Sequence, residues 1–234
     1  MNIKKLTSKI YYFPHEVETD RPMIAYIKGK KYSLAIDAGY SAKHIDDFYD
    51  SLEKASLKKP DFTVITHWHY DHTFGMHHIH GISMAHKKTN AFLKEEQKKA
   101  YQTQYIDVLK QNDACFEKEY HNEIKLNIVL SDIQFEKEIY LNLGEITAHV
   151  FHTESPHSED TVCIYIPEER TLFLGDATSE DFFNNGYMDN MKLQNLIRMI
   201  EKTDCIYCIL SHTEPLMKQE LLHYLYGLIK NNKV

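Results

Sequence analysis

A short histidine-rich segment, residues 67–72 (His-Trp-His-Tyr-Asp-His), carries side chains that can bind metal ions. Three imidazoles and one carboxylate would be costly to bury in an apolar core without partners. Imidazole is a good zinc ligand, and a carboxylate adds a harder oxygen donor. In a tight loop, His67 and His69 can point one way while Asp71 and His72 point toward a neighbouring position. The spacing therefore predicts two adjacent metal ions rather than one.

The composition concentrates histidine in this region and limits the class of partner. The chain has 234 residues and 15 histidines, and the stretch from His67 to His86 is the richest in them. Its 27 basic and 34 acidic side chains give a net charge of −7. A nucleic-acid or anionic-membrane partner would need a basic face, so neither is predicted. We expect a small-molecule substrate, and the composition leaves the oligomeric state open.

The chain carries no pattern typical of export or of a membrane span. Residues 1–10 are positively charged, but the apolar run of a signal peptide does not follow them. No stretch approaches the roughly 20 apolar residues that cross a bilayer. Four cysteines are too few for a disulfide scaffold. These features predict a cytoplasmic protein.

The elements around the histidine-rich segment predict a layered α/β fold. Strands are expected over residues 23–28 and 32–37, joined as a hairpin. Ser41 fits the N-cap of a helix, because the apolar residues Ile45, Phe48, Tyr49 and Leu52 follow at helical spacing. Residues 62–66 read as a buried strand that leads directly into His67. Strand, helix and strand form one α/β layer pair.

The rest of the chain predicts a helical insertion at about 87–123 and a second set of strands. These strands are expected at 128–130, 139–141, 146–151, 161–166, 171–174 and 205–210, with helices at 192–202 and 219–230. The insertion is predicted to overhang the metal loop, with Phe92, Tyr101 and Tyr105 at the substrate pocket. A solvated helical hairpin without a role is the alternative. Residues 1–234 are predicted to form a single domain.

Five segments in order resemble the metallo-β-lactamase superfamily over nearly the whole chain. Residues 67–72 resemble its HxHxDH signature, and Ile36-Asp37-Ala38-Gly39 resembles the strand-end aspartate and glycine upstream of it. Ser155-Pro156-His157-Ser158 resembles the loop of the third histidine. Leu174-Gly175-Asp176 resembles the strand end of the bridging aspartate, and Ser211-His212 the last histidine. One departure is Pro156, which stands where a glycine usually precedes the histidine and could change the loop shape.

The resemblance implies a four-layer αββα sandwich of the metallo-β-lactamase type with a helical insertion. It also implies two divalent metal ions, zinc in the first instance, with iron or manganese as alternatives. By this resemblance Asp71 orients a bridging hydroxide and is the catalytic acid/base. The implied metal ligands are His67, His69 and His157 for one ion, Asp71, His72 and His212 for the other, and Asp176 between them.

The function implied by the resemblance is hydrolysis of a small-molecule ester, lactone, thioester or related bond. Thiolester hydrolases of the glyoxalase II kind carry a C-terminal helical domain, whereas only a short segment follows His212; lactonases are of comparable length. A true β-lactamase is disfavoured, because one subclass has cysteine at the position of Asp176 and these enzymes are exported. Two other classes stay open. They are a mononuclear iron oxidoreductase like the persulfide dioxygenases, and a non-catalytic metal-binding module.

Other histidines are weaker candidates for the same chemistry. His149 and His152 precede the third predicted ligand, but they lie on or at the end of the preceding strand. His77, His78 and His80 are expected at the rim or on the surface.

A cysteine pair and an elbow-like segment are read as structural. Cys205 and Cys208 resemble half a zinc site, but residues three apart on a strand face opposite sides. Residues 81–85 only partly imitate a nucleophile elbow, because the second glycine is missing.

Overall fold

The architecture is a pair of stacked β-sheets with helices on the outer sides. A computed structural model describes residues 1–102 and 104–231, and the side chains up to Ile229. Residues 103 and 232–234, which the single-domain prediction includes, lie outside the described part. No helix in that part combines the length and apolar character needed to cross a bilayer.

The first sheet contains seven strands, each paired with its neighbours in chain order. They are β1 (Lys4–Lys5), β2 (Ile10–Phe13), β3 (Ile24–Lys28), β4 (Ser33–Ile36), β5 (Phe62–Val64), β6 (Ile82–His86) and β7 (Ile133–Phe135). The first three pairs of strands are antiparallel and the last three are parallel.

The second sheet contains six strands, also paired in chain order. They are β8 (Glu138–Asn142), β9 (Thr147–His152), β10 (Val162–Ile166), β11 (Thr171–Gly175), β12 (Tyr207–Leu210) and β13 (Leu216–Met217). Only the pair of β11 and β12 is parallel. The strand ends next to the predicted ligands belong to the parallel strand pairs of the two sheets.

Seven α-helices accompany the sheets in the described residues. They are α1 (Ala42–Lys54), α2 (Tyr70–Thr73), α3 (Lys87–Ala100), α4 (Tyr105–Asn112), α5 (Ala114–Tyr120), α6 (Asn190–Lys202) and α7 (Lys218–Asn231). Ser41 caps α1 as predicted, because its side chain accepts a hydrogen bond from His44 N.

The alternation of side chains along β3 shows how the layers are built. Ala25 and Ile27 point into the core between the two sheets, where residues of the second sheet such as Ile164 meet them. Ile24 and Tyr26 point to the other face and pack against α1. Successive strand residues face opposite sides, so one strand contacts two layers. Helices α6 and α7 cover the outer face of the second sheet. The predicted four-layer αββα class is confirmed.

The helical insertion is packed into the fold. Leu93 of α3, Ile106 of α4 and Phe116 of α5 are all buried. They form one cluster with Tyr40 and Ile65, which lie beside the strand ends of the first sheet. The insertion therefore covers the edge at which the predicted metal loop stands, and the reading of it as a solvated hairpin is wrong.

One predicted strand is absent from the described residues, and one strand lies in a segment for which none was predicted. Residues 128–130 are not in a strand, and the next strand is β7. Ile128 is buried against the insertion, and its carbonyl accepts a hydrogen bond from the Gln97 side chain, so it needs no strand partner. The segment 81–85, read as elbow-like, instead enters β6, where the left-handed conformation of Gly81 starts the strand close to Asp61.

The cysteine pair was also placed wrongly. β12 begins at Tyr207, so Cys205 lies before the strand rather than on it. The rule that strand residues three apart face opposite sides therefore does not apply. The Sγ atoms of Cys205 and Cys208 are 3.8 Å apart, and both side chains are buried.

Candidate metal centre

All seven predicted ligands stand at one edge of the two sheets, on loops or in the short helix α2. The carboxyl ends of the parallel strands β4 and β5 meet there, as do those of β11 and β12. The positions are His67 and His69 after β5, Asp71 and His72 in α2, His157 between β9 and β10, Asp176 after β11, and His212 after β12. Both sheets therefore contribute ligands to one site.

The first donor group consists of three buried histidines. The Nε2 atom of His157 lies 3.2 Å from His67 Nε2 and 3.1 Å from His69 Nδ1. Burial, together with the neighbouring imidazoles, holds the pKa of His67 well below its usual range and lowers the pKa of His69 to about 3. Neutral imidazoles that turn lone pairs toward one point suit a cation. This group could hold one metal ion.

The outer ring nitrogens of this group are tied to fixed partners. His157 Nδ1 donates to the carbonyl of Glu180 at 2.8 Å, which turns Nε2 toward the centre. His67 Nδ1 lies 3.1 Å from the hydroxyl of Thr66. Such partners orient metal-binding imidazoles and select their tautomer. Pro156 does not move His157 away from the group, so the departure from the family pattern leaves the ligand in place.

The second donor group combines two carboxylates with two imidazoles. His212 Nε2 lies 3.3 Å from Asp71 Oδ2 and 3.3 Å from Asp176 Oδ2. His72 Nε2 lies 3.2 Å and 3.4 Å from the same two oxygens. Although His72 Nε2 is buried, it has no hydrogen bond of good geometry within the described residues. A buried nitrogen that lacks a well-formed hydrogen bond and stands between two carboxylates fits a site that binds a cation.

Electrostatics make the second group a compact set of ion pairs. Burial alone would lower the pKa of the imidazoles, but the carboxylates of Asp71 and Asp176 raise that of His72 well above its usual range. They also raise the pKa of His212 to about 12. Burial would raise the pKa of the carboxyls, but His72 and His212 lower it well below the usual range. A metal ion must therefore displace protons from these imidazoles.

Asp37 positions His72 in this group. Its Oδ2 accepts a hydrogen bond from His72 Nδ1 at 2.8 Å. Its two oxygens also accept from the backbone N–H of Thr66 at 2.7 Å and from the Thr66 hydroxyl at 2.9 Å. Asp37 has a φ of 68°, a conformation that costs energy for a residue with a side chain. The network around it holds that conformation.

Asp176 belongs to the second group and stands next to the first. Its Oδ2 lies 3.8 Å from His157 Nε2 of the first group and 3.3 Å from His212 Nε2 of the second. The backbone reaches this position through Gly175, whose φ of 56° turns the chain at the end of β11. The placement agrees with a carboxylate between two cations.

The other histidines lie outside both groups. His149 pairs with Glu138 at 2.7 Å, and His152 Nε2 lies 2.9 Å from the carbonyl of Glu159. Neither residue belongs to a donor group in the described residues. The cavity described in the next paragraph is not lined by the histidines that were expected at the rim or on the surface, which are His77, His78 and His80.

A cavity of about 890 Å³ opens over the donor groups. Its floor contains His69, Asp71, Asp176 and His212, and its walls come from five parts of the chain. The wall residues are Asp20, Tyr40, Tyr70, Leu109, Asn112, Asp113, Ala114, Cys115, Phe116, Ser179, Phe182 and Phe183. The insertion supplies the set from Leu109 to Phe116, so it does border the site.

The prediction that Phe92, Tyr101 and Tyr105 line the substrate pocket is wrong, because none of the three lines the cavity. Phe92 stacks on Trp68 of the metal loop, with ring centroids 5.3 Å apart. Tyr101 is exposed, and the hydroxyl of Tyr105 donates to Glu96, so neither lines the cavity. The helices turn these rings away because Ile106 and Phe116 occupy the inward face.

Two carboxylates of the cavity wall were not predicted. Asp20 Oδ1 lies 3.0 Å from His212 Nδ1. The two residues are far apart in the sequence, so no local pattern indicates this contact. Asp113 is the N-cap of α5 and accepts from the backbone N–H of Cys115 and Phe116. An aspartate followed by a short helical run is a recognisable cap signal, so Asp113 could have been found from the sequence.

Solved structures share the fold of this chain. A metallo-β-lactamase from Pontibacter korlensis superposes with a TM-score of 0.70 at 17% identity, over 98% of this chain and 99% of that one. The metallo-β-lactamase FIM-1 from Pseudomonas aeruginosa, in its mono-zinc form, gives 0.69 at 12%, over 100% and 97%. The inverting sec-alkylsulfatase Pisa1 from Pseudomonas sp. gives 0.69 at 17%, over 97% and 41%.

The sequence itself also matches a family model. No curated protein sequence matches the chain. The model of the metallo-β-lactamase superfamily, however, matches residues 22–205, which is more than half of the chain. The chain belongs to the metallo-β-lactamase superfamily.

Proposed function

We propose that the protein is a metal-dependent hydrolase that uses two divalent cations. Zinc is the first candidate, with iron or manganese as alternatives. His67, His69 and His157 would hold one ion. Asp71, His72 and His212 would hold the other, with Asp176 between them. The observation that carries the proposal is the pair of neighbouring donor groups at one cavity, with Asp176 of the second group 3.8 Å from His157 of the first.

When bound, two adjacent cations lower the pKa of water and polarise an ester or phosphoryl oxygen. The chain supplies the rest of the chemistry. Asp71 lines the cavity, so its carboxylate stands where it can accept a proton from a bound molecule. Trp68, Phe183 and His69 pack closely and shield this side of the donor groups from water.

The proposed substrates are small-molecule esters, lactones, thioesters or related compounds. The cavity is of the size that takes a small molecule. Structural neighbours with 12–17% identity include proteins named as metallo-β-lactamases and as a sec-alkylsulfatase, which supports a hydrolytic reaction on this fold. A cytoplasmic location and a substrate other than nucleic acid or membrane lipid stay predictions.

The second donor group is the reason to prefer two metals over the alternatives. A mononuclear iron oxidoreductase would need only one ion, and a non-catalytic module would need no proton acceptor in the cavity. Here four more donors stand beside the three histidines, and Asp71 faces the open space. Metal analysis of protein purified without added metal separates the zinc hydrolase from the iron enzyme, and a hydrolysis assay separates it from a non-catalytic module.

The experiment is a hydrolysis assay with zinc-loaded protein on a panel of esters, lactones, thioesters and phosphodiesters. We expect turnover of at least one carbonyl class and its loss in His67→Ala, together with loss of metal. His149→Ala is the matched control, because this histidine pairs with Glu138 on the surface, and it should keep full activity. If the wild type binds two zinc ions but hydrolyses nothing on the panel, the proposal is wrong.

A further inference from the structure

The charge of the cavity wall is one-sided. Among the described residues that line it there is no lysine or arginine. It contains Asp20 and Asp113 in addition to the proposed ligands Asp71 and Asp176. Apart from the donor groups, the cavity therefore offers carboxylates and no basic side chain to a bound molecule.

The nearest basic side chains in sequence are committed elsewhere. Arg21 follows Asp20, but its guanidinium donates to Glu119 at 2.8 and 2.9 Å and to Asp47 at 3.0 Å. Lys118 of α5 donates to the carbonyl of Glu18 at 3.0 Å. Neither residue lines the cavity, so neither can form a direct ion pair with its contents.

The carboxylate of Asp113 is fixed at the wall by donors that carry no charge. Its oxygens accept from the backbone N–H of Cys115 at 2.7 Å, from that of Phe116 at 3.0 Å, and from the Tyr70 hydroxyl. Neutral donors orient a carboxylate without cancelling its charge. In agreement, the pKa of the Cys115 thiol is raised, first by burial and then by the charges of Asp113 and Asp20.

The remaining wall is apolar and aromatic. Phe182 and Phe183 are 62% and 61% exposed, although they stand beside His157 and His69. Tyr40 and Leu109 add apolar surface on the side of the insertion. Two exposed phenylalanines at the mouth of a cavity are surface that an apolar ligand can cover.

We propose that this cavity selects substrates that are apolar, and uncharged or cationic, at the end remote from the scissile bond. Substrates with a carboxylate or phosphate at that end are disfavoured. This inference rests on the proposed function, because it assumes that the scissile bond lies at the donor groups. An anion at the remote end would meet Asp113 without a basic partner, in a site partly shielded from water.

The test uses the fluorescence of Trp68, the only tryptophan of the chain, which packs against Phe92 and Phe183 at the cavity. Zinc-loaded protein is titrated with three arylalkyl hydroxamates that differ only at the para position, as methyl, trimethylammonium or carboxylate. We expect the neutral and cationic probes to bind at least tenfold more tightly than the carboxylate probe. The cationic preference should shrink at high salt.

A matched pair of variants places one lysine inside or outside the cavity. Asn112 lines the cavity and Gln111 does not, and both are exposed residues near the end of α4. Asn112→Lys should strengthen binding of the carboxylate probe at least fivefold, and Gln111→Lys should leave it unchanged. Circular dichroism checks that both variants fold.

The outcomes separate this inference from the proposed function. Equal or tighter binding of the carboxylate probe by the wild type overturns the inference, whether or not the protein is a hydrolase. Failure of all three probes to bind also overturns it. Binding in the expected order without hydrolysis of any neutral ester supports the charge preference and contradicts the proposed function.

Discussion

Four of the five imidazoles that face a metal position have their outer ring nitrogen beside a specific partner group. His72 donates to Asp37, His157 to the Glu180 carbonyl, and His212 Nδ1 lies beside Asp20. Groups of this kind restrict ring rotation and decide which nitrogen carries the proton. At this scale the sequence predicts the ligands themselves, because they form short strand-end motifs. It does not predict Asp20, which meets His212 only through the tertiary fold.

Replacing Asp71 separates catalysis from metal binding. Asp71→Asn keeps the size and one oxygen donor but removes the charge and the ability to accept a proton. General acid/base groups contribute about 10²–10⁴-fold to rate, so we expect a fall in kcat of that order. Zinc content measured alongside should show that the ion of the three histidines is retained. Near-normal turnover in this variant would refute the role of Asp71.

Metal binding should release protons from the second donor group only. In the metal-free protein the pKa of His72 is well above its usual range and that of His212 is about 12, so both are protonated at pH 7.5. His67 and His69 have lowered pKa values and are already neutral. Zinc binding should therefore release about two protons from the chain. Because protons compete with the ion, affinity at this group should fall as the pH falls.

Calorimetric zinc titrations in buffers of different ionisation enthalpy measure that release. The dependence of the observed enthalpy on the buffer gives the number of protons per ion. We expect the release to accompany binding at the group of Asp71, His72, Asp176 and His212. A total release below one proton per chain would contradict the charge state assigned to these imidazoles.

At the scale of elements, the ends of the strands position the proposed ligands. Gly175, at the end of β11, is a position at which a larger side chain should destabilise the fold. Its φ is 56°, and a Cβ atom there would lie 2.9 Å from both Cβ and Oγ1 of Thr66. Gly175→Ala should therefore lower the free energy of unfolding by about 1–3 kcal/mol. It should also weaken metal binding, because Asp176 follows directly and Thr66 supports Asp37.

Thermal and urea unfolding check this expectation, with Gly227→Ala as the control. Gly227 lies in α7, and a Cβ atom there would meet nothing within 4 Å. Alanine has the higher helix propensity, so the control should be neutral or stabilising. Equal stability of the two variants would show that the approach of Thr66 to Gly175 is not a constraint.

Periodicity predicted the elements that bury a regular face, and local exceptions explain the errors. The helix after Ser41 is where its apolar spacing placed it, because the same residues pack on the first sheet. Ile128 is buried without being in a strand, since the Gln97 side chain of α3 donates a hydrogen bond to its carbonyl. In the insertion, the spacing of apolar residues predicted helices but not which residues face the cavity. Tyr101 and Tyr105 were therefore wrongly assigned to the cavity.

At the scale of the whole molecule, the two sheets complete one site. Residues 67–72 come from the first sheet, while His157, Asp176 and His212 come from the second. Hydrogen bonds such as Val162 N to the Thr66 carbonyl, at 2.7 Å, join the two sheets at this edge. The net charge of −7 agrees with a cavity that offers carboxylates rather than basic groups.

The central claim, that this site is built for two metal ions around one shared carboxylate, is tested most directly by metal content. Wild-type protein should contain two divalent ions per chain by elemental analysis, and His149→Ala should match it. Asp176→Ala should lower the occupancy of both positions, because its carboxylate lies within 4 Å of imidazole nitrogens of both groups. One tightly bound iron per chain, unchanged in Asp176→Ala, would contradict the account.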